Sequence, residues 1–124
     1  MRALAALIFI FCGSCSWIPG TSAHAEKQAR DALRTSLFDA DSAKFDSVKA
    51  VTIQRANPER VICGMVNAKN QMGAYVGFRR FLVSQDADFA AVDPQADEHA
   101  DDETKSYQAG FDAVWPDAAK AGCR

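Results

Sequence analysis

Few residues in this 124-residue chain have the type and spacing that catalysis requires. A nucleophilic mechanism needs a nucleophile, a base and a group that orients the base. Of the two histidines, His24 lies in an N-terminal leader described below, and His99 lies in an acidic segment without a visible serine or cysteine partner. The sequence therefore predicts that the protein is not an enzyme. It indicates no cofactor and no metal.

The acidic segment is the other place where chemistry is conceivable. Residues 86–103 contain eight Asp or Glu residues and no Lys or Arg. Paired carboxylates could do acid and base work, and oxygen ligands could hold Ca²⁺, but residues 93–98 lack the spacing and the glycine of an EF-hand. A solvated loop is the commoner reason for such a run. Binding of a small ligand or a cation by loop 86–103 remains the alternative function.

The N-terminus has the order of residues found in a secretory signal peptide. Arg2 supplies a positive end, residues 3–11 form an unbroken apolar run, and small and polar residues follow. A membrane span needs about 20 apolar residues, so the interruption at residues 13–14 makes an anchor the weaker interpretation. Ala23 and Ala25 fit the small-x-small pattern of signal peptidase. We expect residues 1–25 to be a signal peptide that is cleaved after Ala25.

Removal of this leader would leave residues 26–124 as one small domain in the periplasm or outside the cell. Lipid anchoring through Cys15 is the alternative, although Cys12 stands where a lipoprotein box usually has Leu. With the leader gone, the remaining cysteines are Cys63 and Cys123, and two thiols in an oxidising compartment most often pair. A disulfide closing a loop of about 60 residues would stabilise the fold by roughly 4 kcal/mol.

The charge of the mature chain limits its partners. It would carry 13 basic and 16 acidic residues, a net charge of −3, so a nucleic-acid partner is not expected. A stable membrane span is not expected in residues 26–124 either. Basic residues concentrate in residues 44–80 and acidic residues in 86–103. Contact with another macromolecule, such as an envelope protein, is therefore the leading functional hypothesis.

The spacing of apolar residues predicts an α+β fold with an N-terminal helix, a three- or four-stranded antiparallel meander and a C-terminal helix. The first helix is expected over residues 26–38. Strands are expected over residues 48–55, 60–68, 74–84 and 88–92, with a turn at 39–43 before the first of them. The last helix is expected over residues 104–115, with Tyr107 on its apolar stripe, a kink or restart at Pro116 and an end at Gly122.

A tight turn at residues 70–73 would set the register of the central hairpin. It would pair Gly64 with Arg79, Val66 with Gly77 and Ala68 with Tyr75. One face of the hairpin would then be the more apolar and should receive the C-terminal helix, which brings Cys123 toward Cys63. This face would carry Val61, Cys63, Met65, Val76, Phe78 and Leu82.

The opposite face is the candidate contact surface. The residues proposed for it are Gly64, Tyr75, Gly77, Arg79 and Phe81. Its two glycines would leave a shallow hollow edged by aromatic rings. A side chain of the first helix, such as Leu37 or Phe38, could fill this hollow, since glycine in strands commonly marks such a close approach. Alternatively the face contacts a partner, since aromatic and Arg side chains dominate binding hot spots.

Two segments of this region resemble a known family. Residues 41–45 read DSAKF, and residues 63–81 read CGMVNAKNQMGAYVGFRRF. They are similar to the DPxSAxF and CGxVNxKNxxGxYxGxxxF segments of a family of small exported proteobacterial proteins, with Ala40 where that family often has Pro. The resemblance spans residues 39–81. It implies an exported protein with a shared fold unit, and it implies no reaction.

Overall fold

The chain folds into two helices and one antiparallel sheet of four strands. The structure, a computed structural model, describes residues 21–86 and 89–124. Their elements are α1 (Ser22–Ala32), β1 (Asp39–Ile53), β2 (Glu59–Lys69), β3 (Arg79–Ser84), β4 (Ala90–Val92) and α2 (Asp102–Ala121). The strands lie in the order β1-β2-β3-β4. The predicted α+β fold is confirmed. The predicted leader core, with Cys12 and Cys15, and the predicted start of the fourth strand at Asp88 lie outside the described residues.

The sheet is covered by one helix on each face. Neighbouring residues of β2 point to opposite sides, so Ile62 packs under α1 and Val61 packs under α2. The core beneath α1 contains Ala25, Ala29, Leu33, Ala43, Ile62, Val66, Ala68, Phe81 and Val83. The core beneath α2 contains Ile53, Val61, Cys63, Leu82, Phe111, Ala118 and Cys123. Two small cores thus share one sheet.

Helix α1 begins and ends earlier than the predicted span of residues 26–38. The hydroxyl of Thr21 caps its start by accepting the N–H of His24 at 3.3 Å. The helix ends at Ala32, and a tight turn follows in which Leu37 N donates to Leu33 O at 3.1 Å. Ala25 is buried within α1. Cleavage after Ala25 stays a prediction, and such a cut would fall inside this helix.

Strand β1 begins nine residues before the predicted start at Val48. The turn-type bonds expected near residue 40 do form, because Ser42 donates from its N–H and its hydroxyl to Asp39. They produce a register irregularity between Asp39 and Lys44 rather than a break, since Asp39 already pairs with Lys69 of β2. The expected turn is therefore an irregular part of a strand.

The register of β2 and β3 differs from the predicted one by two residues. Gly64 lies opposite Phe81 rather than Arg79, and Val66 lies opposite Arg79 rather than Gly77. A shift by an even number of residues leaves each side chain on the same face of a strand. The face under α2 is therefore predicted correctly for Val61, Cys63 and Leu82. It is wrong for Val76 and Phe78, which are exposed, and Met65 is only half-buried.

The displacement comes from the connection between the two strands. Tyr75 forms a bridge with Lys69, not with the predicted Ala68, so the turn is one residue wider than a tight one. Between this bridge and the pair of Val66 with Arg79, the three residues 76–78 lie opposite only the two residues 67 and 68 of β2. This difference adds the second residue of the shift. Strand β3 consequently begins at Arg79 instead of residue 74.

Helix α2 begins at Asp102, two residues before the predicted start at Thr104. Asp101 caps its start, accepting the N–H of Thr104 at 2.7 Å. The helix continues through Pro116 to Ala121, and Gly122 ends it in the left-handed conformation with φ 119°. The predicted end at Gly122 is confirmed. Of the two alternatives predicted at Pro116, the restart is wrong, and the kink stays a prediction.

The predicted hollow above Gly64 does not exist. A Cβ at Gly64 would lie 2.9 Å from the Asp46 carbonyl oxygen, 3.1 Å from the Val48 Cα and 3.2 Å from the Phe81 ring. Strand β1 and Phe81 therefore fill the space that the glycine leaves, and the ring of Phe45 packs edge-on against Phe81. Neither Leu37 nor Phe38 is needed there.

The disulfide between Cys63 and Cys123 is present, as predicted, with Cα atoms 5.8 Å apart. Cys63 lies in the centre of β2 and is fully buried. Cys123 follows the αL residue that ends α2, and its N–H donates to Ala118 O at 3.0 Å. The bond therefore fixes the C-terminal end of α2 to the middle of the sheet.

We expect the double substitution C63A/C123A to lower the free energy of unfolding by about 2–5 kcal/mol, because it frees a long loop in the unfolded chain and leaves a gap under α2. Urea denaturation of the oxidised protein measures this. Reduction of the wild-type protein should give a similar loss. Equal midpoints for the variant and the oxidised protein would show that the bond does not hold the last helix in place.

We expect Gly64→Ala to destabilise the protein by about 2 kcal/mol, since its methyl group would press on the β1 backbone. The control is Gly110→Ala on α2, where a Cβ has no neighbour within 4 Å. That variant should keep or raise the stability through better helix propensity. Thermal unfolding of both variants would contradict the packing argument if they proved equally stable.

Candidate binding cleft

A cleft of about 850 Å³ lies along the β4 edge of the sheet, which no other strand among the described residues pairs with. Five segments line it: the turn after α1, the end of β2, the start of β3 with the residues before it, β4 with Phe89 and Pro94, and the first half of α2. We call it the edge cleft. Its lining residues are 36–38, 66, 68–70, 76, 77, 79, 89–92, 94, 104, 106, 107, 110 and 111.

The floor of the edge cleft contains the unpaired side of β4. The main chain of this strand bonds to β3 through Asp93 N to Arg80 O and Ser84 N to Phe89 O, both at 2.8 Å. Because bonding alternates along an antiparallel pair, the main-chain groups of Ala90 and Val92 point away from β3. All three residues of β4 line the cleft. Two N–H groups and two carbonyls are thus presented to it.

One wall is a short arm, residues 75–78, which side chains hold away from the sheet. Gly77 N donates to the Asn67 side-chain oxygen at 3.1 Å, where a regular strand would use a main-chain acceptor. Gly77 has φ 103°, a conformation that favours glycine. Val76 is consequently turned out of the sheet and lines the cleft.

The start of the arm is fixed by contacts between residues 41–45 and residues 63–81. Tyr75 donates from its hydroxyl to Ser42 O at 3.0 Å, and the ammonium of Lys44 lies 4.3 Å from the centre of its ring. The Ser42 hydroxyl also accepts the N–H of Lys69 at 3.0 Å. The two segments therefore meet at one end of the sheet, and what they build is the arm.

The opposite wall is held by a partly buried ion pair. Arg80 donates to one carboxylate oxygen of Asp93 from Nε at 2.9 Å and from a terminal nitrogen at 2.6 Å. The other oxygen of Asp93 accepts from Gln95 N and from the Gln108 side chain, each at 3.0 Å. Since Gln108 belongs to α2, this network ties the end of β4 to the helix.

Burial would by itself raise the pKa of Asp93. The hydrogen bonds from Gln95 N, Arg80 and Gln108 favour the charged form more strongly, so they hold the pKa of Asp93 below its ordinary value. The Arg80 guanidinium also lies 4.7 Å from the ring centre of Trp115. Asp93 is therefore a structural carboxylate and is not free for catalysis.

Arg79 differs from its neighbour Arg80. It lies on the α1 side of the sheet, opposite Val66, and it lines the edge cleft. Its Nε is buried and has no hydrogen-bond partner. Among the described residues, no ion pair or ring contact involves its guanidinium. A partly buried guanidinium thus faces the cleft without an anion.

Exposed aromatic rings surround the cleft. Phe38 is 69% exposed, Tyr107 is 67% exposed and Phe89 is 40% exposed, and each lines the cleft. They come from the turn after α1, from α2 and from the segment before β4. Large exposed apolar groups that converge on one concave surface are typical of a contact site.

The predicted contact residues fall into two groups. Gly77 and Arg79 line the edge cleft, whereas Gly64 and Phe81 are buried in the core and cannot contact a partner. Tyr75 is partly exposed but is engaged with Ser42. The prediction of a surface with these five residues is therefore wrong for Gly64 and Phe81.

The sequence interpretation missed Phe38, Phe89 and Tyr107. Each ring belongs to a different segment, and no spacing in the sequence brings them together. Tyr107 was expected on the buried stripe of the last helix, but Phe111 occupies that stripe and Tyr107 faces the cleft. The turn after α1 likewise buries Leu37 partly and leaves Phe38 exposed.

Several acidic residues of the 86–103 segment have structural roles. Asp93 pairs with Arg80, Asp101 caps α2, and Asp97 accepts the N–H of His99 at 2.9 Å. Within residues 21–86 and 89–124, no three His, Cys, Asp or Glu side chains come together as a metal site would require.

Comparisons of the chain with family models, with curated proteins and with solved structures give no match. In the part of the chain that the structure describes, neither helix is long and apolar enough to cross a membrane.

We expect Asp93→Asn to lower the free energy of unfolding by about 2 kcal/mol at pH 7, because Arg80 loses its charged partner. The folded pKa of Asp93 is depressed, so its contribution is present above the unfolded value near 4 and is lost as the pH falls through the lower, folded value. Urea denaturation between pH 7 and pH 2 should show the wild type and the variant converging at low pH.

The control is Asp97→Asn, which keeps an oxygen for the His99 N–H and breaks no ion pair. At pH 7 its stability should equal that of the wild type. A constant difference between Asp93→Asn and the wild type from pH 7 to pH 2 would contradict the assignment of the charge on Asp93.

Proposed function

We propose that this protein is a non-enzymatic, exported protein of the cell envelope that binds another protein through the edge cleft. The observation that carries the proposal is the convergence of exposed rings from three segments on a free strand edge. Monomeric proteins seldom leave such groups together in a concave surface unless something covers them. Aromatic and Arg side chains are also the commonest energetic centres of protein interfaces.

The composition of the cleft supports contact rather than catalysis. Its described lining residues include Lys69, Arg79 and Tyr107 but no Asp, Glu, His or Cys. General base chemistry near neutral pH normally uses one of these absent groups. The nearest network of titratable groups, Arg80 with Asp93, is saturated with hydrogen bonds. The lining composition and the fully bonded pair of Arg80 with Asp93 both favour a surface that binds a partner.

The disulfide supports a location outside the cytoplasm, because such bonds persist in oxidising compartments. The predicted leader and the resemblance to exported proteobacterial proteins favour the same location. In a chain this small, the bond also keeps α2, one wall of the cleft, in place. An oxidising compartment thus allows the disulfide between Cys63 and Cys123, and this bond holds one wall of the cleft.

We expect the double substitution F38S/Y107S to weaken partner binding by at least about tenfold while leaving thermal stability unchanged, because both rings are mostly exposed. A photoreactive amino acid at Phe89 provides the measurement. Irradiation in cells should give a discrete crosslinked product, identified by mass spectrometry, whose yield falls in the double variant.

The control is Met72→Ser. Met72 is 91% exposed at the tip of the hairpin, is apolar and does not line the cleft. It should leave the crosslink at full strength. An equal loss of the crosslink in Met72→Ser and F38S/Y107S, or no specific product from Phe89, would contradict a partner site in the cleft.

A further inference from the structure

We infer that the edge cleft binds an extended peptide segment that adds to β4 as a fifth strand and places a carboxylate against Arg79. This inference rests on the proposed function and names the chemistry of the partner. It follows from two independent features of the cleft, the unpaired strand edge and the unpartnered guanidinium.

The strand edge provides the affinity. Ala90 and Val92 each direct one N–H and one carbonyl away from β3. Among the described residues, no main-chain or side-chain partner satisfies these groups. An extended peptide meets all four with its own main chain, which is how sheets accept an added strand. Pro94 lacks an N–H and therefore marks where the paired stretch ends.

The walls select the side chains of the peptide. Residues of an added strand alternate between the two faces of the sheet. On one face they meet the side of the cleft that contains Phe38, and on the other they meet α2 at Tyr107. Because both sides are apolar, the segment needs apolar residues at successive positions over the length of β4.

Arg79 adds a charge requirement at one end. If the register in which Phe81 pairs with Val92 continues, Arg79 is level with Pro94, beyond the last residue of β4. A guanidinium with a buried, unbonded Nε is costly, and a carboxylate relieves this cost with charge-assisted hydrogen bonds. Lys69 adds a second positive charge to the lining. The partner segment is therefore apolar and ends in an acidic group near Pro94.

A second copy of this chain fits the cleft less well. Pairing of β4 with β4 would supply Ala90–Val92 as the added strand, which satisfies the main chain. Asp93, the described acidic residue next to that strand, is already bonded to Arg80 and Gln108. Self-pairing would leave Arg79 without an anion, so a different chain with a free carboxylate is the better occupant.

The test uses the full disulfide-bonded protein and an array of peptides about seven residues long, a length that spans β4 with a margin. The peptides carry Val, Ile or Leu at their central positions and Glu, Gln or Lys at one end. We expect the Glu peptides to bind at least about tenfold more tightly than the matched Gln peptides, and the Lys peptides to bind least. Alternate backbone amides of the peptide can be N-methylated in two ways. The version whose methylated amides would face β4 should not bind, and the other version should bind.

Arg79→Leu should remove the preference for Glu over Gln while the protein keeps its thermal stability, because the variant buries no unbonded nitrogen. Arg79→Lys should retain part of the preference. The matched control is Arg60→Leu, an exposed arginine on β2 outside the cleft, which should leave the preference unchanged. An undiminished preference for Glu in Arg79→Leu would overturn the assignment of the carboxylate.

The remaining outcomes separate this inference from the proposed function. If N-methylated peptides bind as well as unmodified ones, strand addition is wrong. If the protein self-associates and peptides do not compete, a second copy fills the cleft and the inference is overturned. If the Phe89 crosslink depends on Phe38 and Tyr107 but no acidic peptide binds, the inference fails and the proposed function stands. If the Phe89 crosslink does not depend on Phe38 and Tyr107 and no acidic peptide binds, the inference and the proposed function are both overturned.

Discussion

Alternation of side chains along β2 is the constraint on which the rest of the structure depends. Ile62, Val66 and Ala68 pack beneath α1, while Val61 and Cys63 pack beneath α2. A single central strand therefore organises two cores. The bond from Cys63 to Cys123 adds a covalent link on the α2 side, and β1 packs closely over Gly64 on the α1 side.

The same sheet is left incomplete at its other edge. Strand β4 has three residues, and the arm before β3 is held off the sheet by side chains rather than by a main-chain ladder. Asn67, Tyr75 and Gly77 make the contacts that hold the arm in this position. Their role in the structure is to shape one wall of a cleft. Some residues of segment 63–81 thus position the wall, while Gly77 and Arg79 of the same segment line the cleft.

The adjacent residues Arg79 and Arg80 of β3 point to opposite faces of the sheet and have different roles. Arg80 points toward α2, where Asp93 neutralises it and aromatic rings pack on it. Arg79 points to the other face, where no carboxylate among residues 21–86 and 89–124 pairs with it. The difference arises from the period of two along a strand. One charge fixes the wall of the edge cleft, and its neighbour gives that cleft an electrostatic preference.

The sequence by itself determined the types and order of the elements, the pairing of Cys63 with Cys123 and the face on which each β2 residue lies, because local periodicity and compartment chemistry decide these features. Strand boundaries and register could not be predicted, since they depend on Asn67 accepting from Gly77 and on Tyr75 donating to Ser42 of β1. Only the tertiary structure buried Gly64 and Phe81 and brought Phe38, Phe89 and Tyr107 together. The physical reason is that a cleft made from five segments exists only after packing places them side by side.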